Sequence, residues 1–159
     1  MGNGKERQVN MRGVKELIIH CSATRAGQDF GVADIDRWHR QRGWRCVGYH
    51  FVIRLDGTVE AGRPIAEAGA HCADHNGQSL GICYVGGLDE KGRPADTRTP
   101  AQRQSMLALL RHLAARFPGA TIHGHNEFAA KACPSFNVEQ WLREASGHYG
   151  HEGVSQCGS

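Results

Sequence analysis

The sequence predicts an α/β (α+β) fold in a single domain, with a central mixed β-sheet flanked by helices. Three observations lead there. Short runs rich in β-branched residues intermix with amphipathic helical stretches. The helical stretches carry their own start and stop signals. A chain of 159 residues is about one domain long and can bury a core without a second unit.

Each element has a local reason. Residues 1–14 form a polar lead-in, residues 15–146 the expected domain, and residues 147–159 a Gly/Ser/His tail, containing His148 and His151, that is expected to fray. The run "KELIIH" reads as a short buried strand because Leu17, Ile18 and Ile19 are contiguous and two of them are β-branched; it ends on His20. In "GVADIDRWHRQRGW" the residues Val32, Ile35, Trp38 and His39 recur at helical spacing, and Gly43 stops the helix. "GYHFVIRLDGTVEAGR" has strand formers on both sides of Asp56-Gly57, a pair that suits a tight hairpin, so antiparallel strands are expected near 49–55 and 58–62. "SLGICYVGGL" is another buried strand, closed by Gly86-Gly87. The clearest helix follows: Thr99 caps it, Pro100 fits its first position, Gln102 completes a capping box, and Pro118-Gly119 end it. Met106, Leu109, Leu110, Leu113 and Phe117 make its apolar face, which leaves His112 to solvent. "ATIHGH" supplies a last strand, and Asn137 caps a last helix through "VEQWLREAS".

Composition narrows the function classes. The chain is 40% hydrophobic and 22% charged, with a net charge of +3 and no dense Lys/Arg block, which argues against a nucleic-acid partner. Mild basicity suits encounter with an anionic polymer such as a bacterial cell wall. No apolar run approaches the roughly 20 residues needed to span a bilayer, and the opening residues lack the apolar middle of a secretory signal. Synthesis in the cytosol is expected. Glu6 breaks the N-myristoylation pattern that the opening Met-Gly suggests. Cys21, Cys46, Cys72, Cys83, Cys133 and Cys157 include no CxxC pair and are expected to be reduced.

The segment "GHNEFAAKACPSF" packs a histidine, a carboxylate, a lysine and a cysteine into one short stretch. His20 and His125 fall at the ends of predicted strands, where a sheet holds side chains at a shared rim, and Cys133 would be a third ligand. Two imidazoles and one thiolate match a catalytic zinc, which keeps three protein ligands and one open position. Ordinary hydrogen-bonded histidines are the competing reading. A nucleobase deaminase fails, because His125-Asn126-Glu127 is followed by Cys133-Pro134 and no second cysteine at the required spacing. A hydrolase with Cys133 as nucleophile and a histidine as base stays open on spacing, although it gives Lys131 no task. A structural four-ligand zinc site lacks its fourth donor, since Cys21 points away from His20 on a strand.

"HCSAT" (20–24), "WHRQRGW" (38–44), "VGYHFVIRLDGTVEAGR" (47–63), "SLGICYVGG" (79–87), "TPAQ" (99–102) and "KACPSF" (131–136) together resemble the zinc-dependent N-acetylmuramoyl-L-alanine amidases, especially the phage lysozymes of the T-seven type. That family also includes the animal peptidoglycan recognition proteins. The resemblance runs from about residue 15 to about residue 143, in matching order. It implies one zinc ion bound by His20, His125 and Cys133, with Tyr49 and Lys131 assisting catalysis. His125 rather than its neighbour His123 is the implied ligand, because the family's ligand stands eight residues before the cysteine. His71 and Asn76 are candidate contacts for substrate, with loop and turn roles as the plainer alternative; Ser79 shares that alternative. Trp44 and His50 are expected to pack.

What the resemblance implies about function is hydrolysis of the amide joining N-acetylmuramic acid to L-alanine in peptidoglycan. The chain would be a monomeric endolysin, made in the host cytoplasm and released to the wall through a holin. A non-catalytic peptidoglycan-binding module is the rival, and such modules typically lack the zinc cysteine that Cys133 supplies. Relatives also restrain their phage's RNA polymerase, so that protein is a second expected partner. The sequence departs from close relatives at Ala130, where a proline commonly precedes the lysine, and in its glycine-rich tail.

Overall fold

The computed structural model describes residues 13–146. His148, His151, Cys157 and most of the polar lead-in lie outside the described residues. A five-stranded mixed sheet runs in the order β4-β3-β5-β1-β7. Its strands are β1 (Glu16–Cys21), β3 (Phe51–Ile53), β4 (Val59–Ala61), β5 (Ser79–Tyr84) and β7 (Thr121–Gly124). β3, β5, β1 and β7 are parallel neighbours, and β4 closes one edge as the antiparallel arm of a hairpin. β2 (Thr24–Arg25) and β6 (Gly87–Leu88) form a separate two-residue ladder.

Three helices cover the sheet: α1 (Val32–Gln41), α2 (Pro100–Arg116) and α3, over 138–146. The expected cap of α2 is present in full. Thr99 Oγ1 accepts from the Gln102 backbone N–H at 3.0 Å, while Gln102 Oε1 accepts from the Thr99 N–H at 2.9 Å. Gln102 is fully buried and its amide also donates to the Ile53 and Val85 carbonyls, so one side chain caps the helix and ties it to the sheet. Asn137 Oδ1 accepts from the Gln140 N–H and caps α3. α1 starts at Gly31 without a side-chain cap of its own; Glu60 of β4 accepts from the Val32 N–H instead.

Side-chain alternation along the strands divides the interior in two. Leu17, Ile19, Leu80, Ile82, Tyr84 and Ile53 pack with Met106, Leu110, Leu113 and Phe117 of α2 and Val138 of α3. Leu109, expected on the α2 stripe, is only partly buried, and His112 is exposed. On the other face Ile35 of α1 packs with Val47, Val52, Cys83 and Val85. The hairpin turn at Asp56-Gly57 is where expected, with Gly57 at φ 90°, a conformation glycine adopts without strain. Its strands are shorter than the sequence suggests. Tyr49 and His50 precede β3, although the His50 N–H still bonds the Gly81 carbonyl. Five cysteines, from Cys21 to Cys133, are free thiols. No helix among the described residues is long and apolar enough to cross a membrane.

Candidate metal centre and groove

Strand register brings the first two candidate ligands together. Ile19 of β1 pairs with Gly124 of β7, so the next residues, His20 and His125, emerge side by side at the carboxyl ends of two parallel strands. Their ring centroids are 4.6 Å apart. Extension stops at Gly124, and His125–Glu127 form one 3-10 turn, closed by Glu127 Oε2 accepting from the Gly124 N–H. This turn separates the two neighbouring histidines. His123 stays on the strand, bonded to Glu127 and Thr121, while His125 turns toward His20.

Cys133 arrives on the following loop. That loop is fastened to the sheet by Tyr84, whose phenol donates to the Pro134 carbonyl at 2.6 Å, and by Ser135, whose hydroxyl donates to the Gly87 carbonyl at 2.9 Å. Cys133 Sγ lies 3.8 Å from His20 Nδ1 and accepts from the Cys21 N–H at 3.3 Å. The donor atoms of His20, His125 and Cys133 all lie within 4.8 Å of one another, and the three form a group that could hold a metal ion.

Electrostatics keep both imidazoles neutral. Burial, then the positive charge that His71, His125 and Lys131 would present, holds His20 well below its usual range. Burial and then Lys131 lower His125 as well. Neutral imidazoles offer a lone pair to a cation. The thiols of Cys133 and Cys21 are in contact: the hydrogen bond from Cys133 draws Cys21 down to about 7, and the same bond, with burial, raises Cys133. A cation seated against Cys133 would reverse that order, because metal coordination deprotonates a thiol outright. Cys21 does point to the opposite face of β1, as alternation requires; the Cys133 loop wraps round the strand end to meet it.

A groove of about 480 Å³ opens over this centre, with Trp44, His71, Asn76, His125, Phe128 and Lys131 in its walls. Lys131 is exposed, and its charge reaches both histidines. Tyr49 sits beside His20, ring centroids 5.1 Å apart. Burial, followed by the Cys83, Cys133 and Cys21 thiols, pushes its phenol well above the usual range, so it stays protonated. His71 Nδ1 lies 2.8 Å from His20 Nε2. Asn76 turns its Oδ1 inward to accept from the His71 and Cys72 N–H groups, both at 2.9 Å. Trp44 packs against His39 near the end of α1, the rings tilted with 4.4 Å between centroids, and also lines the groove. His50 is buried as expected, bridging the Gly81 N–H and the Glu67 carbonyl.

A sequence profile described as N-acetylmuramoyl-L-alanine amidase matches residues 10–136. The chain belongs to the N-acetylmuramoyl-L-alanine amidase family. It is 48% identical to the endolysin of Klebsiella phage KP32 over 126 residues, which cover 79% of this chain and 83% of that protein. The endolysin of Escherichia phage T7 is 49% identical over 125 residues, with the same shares covered. Among solved structures, the amidase LysC from Clostridium intestinale superposes with a TM-score of 0.72 at 29% identity, covering 86% of this chain and 87% of its own. Across the amidase family's matched span lie all three ligand candidates, Tyr49 and Lys131.

The residues that brace this candidate site are the part that sequence reasoning misses. In the sequence Tyr84 looks like strand core alone, yet a buried phenol needs an acceptor, and that need is a usable signal. Arg63 is 8% exposed and donates to the Val47 and Ala68 carbonyls, bracing the loops beside Tyr49. Ser79 opens β5 fully buried and bonds His71, a pairing with no local sequence signature.

Proposed function

We propose that the chain is a phage endolysin that cleaves the amide between the lactyl group of N-acetylmuramic acid and L-alanine of the stem peptide. In this reading one zinc ion is held by His20, His125 and Cys133. The observation that carries it is the convergence of two neutral imidazoles and one thiol sulfur under a groove, in a chain of the amidase family. That donor set suits zinc, and three ligands leave one position open. A bound zinc ion supplies Lewis acidity, activating water at neutral pH and polarising a carbonyl.

The chain's own groups do the rest. The Cys21 N–H steadies the negative charge on Cys133. The Lys131 ammonium, exposed in the groove wall, meets the oxyanion that attack on the amide creates. Tyr49, held as a phenol, donates a hydrogen bond toward the attacking oxygen or the leaving nitrogen. The groove walls, with His71 and Asn76, seat the glycopeptide. The chain would act as a monomer on peptidoglycan, made in the host cytoplasm and passed to the wall by a holin.

The test is mass spectrometry of products from purified peptidoglycan, with and without chelator. Stem peptides beginning at L-alanine, absent after chelation and restored by zinc, are expected. New reducing sugar ends, or undiminished cleavage after exhaustive metal removal, would overturn the reading.

A further inference from the structure

The His20 ring has two nitrogens, and only one can face the metal position. We propose that Ser79 and His71 are positioning residues that fix which one, by a one-way chain of hydrogen bonds ending on His20. This rests on the reading of His20 as a zinc ligand.

The chain can be followed proton by proton. Ser79 Oγ donates its single proton to the His75 carbonyl at 2.8 Å, since a carbonyl has none to give. The same oxygen lies 3.1 Å from His71 Nε2 and must therefore accept from it. With that proton on Nε2, a singly protonated His71 ring presents a bare Nδ1 to His20. That Nδ1 lies 2.8 Å from His20 Nε2, which must donate. His20 is left with its lone pair on Nδ1, the atom 3.8 Å from Cys133 Sγ. The His75 carbonyl, just before β5, thus decides the metal-facing nitrogen three hydrogen bonds away.

The His71 ring occupies a shaped seat. A Cβ on Gly81 would stand 2.7 Å from His71 Cγ, and a Cβ on Gly69 would stand 2.6 Å from its Cδ2, so both glycines leave room that the ring fills. Asn76 holds the His71 backbone from the other side. Ser79 is fully buried and His71 is 9% exposed, which keeps water from competing for the bonds. Partners of this kind orient a ligand and tune its affinity, and losing one typically weakens binding about 10–100-fold.

Two measurements on the full chain test this. Nitrogen-15 imidazole spectra of the unmodified protein are expected to show the His20 and His71 protons on Nε2. Zinc competition against a chromophoric chelator is expected to show Ser79→Ala binding about 10–100-fold more weakly, with Ser79→Thr, which keeps the hydroxyl, recovering most of the loss. A His20 proton on Nδ1, or unchanged zinc affinity in Ser79→Ala, overturns the inference while leaving the metal reading intact. Failure of the unmodified chain to take up zinc sinks the metal reading, and the tautomer spectra of that same sample still decide the hydrogen-bond chain.

Discussion

Toward α2, strand β1 presents Leu17, Ile19 and Cys21, and β5 presents Leu80, Ile82 and Tyr84. Toward α1 and the groove, the same strands present His20, Gly81 and Cys83. The first face is held by volume: large apolar side chains fill the space against Met106, Leu110 and Leu113, and each contributes in proportion to the area it hides. The second face is held by direction. Its buried histidines His20, His39, His50 and His71 each place a ring nitrogen against a defined partner. Damage on the first face should be graded and thermodynamic, whereas damage on the second should be specific and chemical.

Four changes test that contrast. Cys133→Ser should abolish wall hydrolysis and strongly weaken zinc while the thermal transition of the metal-free chain moves little; a variant that keeps full activity refutes the ligand assignment. Leu110→Ala, on the other face, should lower stability by about 2–5 kcal/mol in urea unfolding yet leave zinc affinity as it was. If Leu110→Ala instead disturbs zinc binding, the two faces are not independent. Lys131→Ala should keep metal and fold and lose on the order of a hundredfold in turnover, read as kcat on soluble peptidoglycan fragments.

Acid distinguishes the faces more gently. His39 is 5% exposed, and its Nδ1 accepts from the Gly48 N–H at 2.8 Å. Burial, then Arg42 and Arg63, lowers it to about 4 against the opposing pull of Asp36. Above pH ~6.5 both folded and unfolded chains leave this imidazole neutral. As pH falls from there toward 4, the unfolded chain binds the proton first, so stability declines, by on the order of 2 kcal/mol at pH 5. His39→Asn, which does not titrate, should flatten that part of the curve in urea midpoints taken at pH 7 and pH 5. An unchanged slope would place the acid sensitivity elsewhere.

The two faces also differ in how legible they were. The apolar face was readable because its signals are local: Thr99, Pro100 and Gln102 sit within four residues, and the α2 stripe repeats every three or four. The ligand candidates were readable because strand ends and the loop cysteine leave a pattern, and the resemblance picked His125 over His123. What separates those two histidines is the end of extension at Gly124, which periodicity did not foretell. The bracing network was hidden, because its partners are remote: His20 and His71 are 51 positions apart, and Tyr84 and Pro134 are 50. The loop carrying His71 has no repeat to read. Strand lengths at Tyr49 and His50 were overestimated because β-forming side chains there serve a bend whose backbone is bonded to Gly81 and Arg63.

Among the described residues β7 sits at the sheet edge and bonds to β1, so the two imidazoles of the candidate centre lie on neighbouring strands although they are more than a hundred positions apart in the chain. A chain built only as far as β5 would present His20 with neither His125 nor Cys133 beside it, so the proposed centre would be completed by the last strand to join the sheet and the loop that follows it.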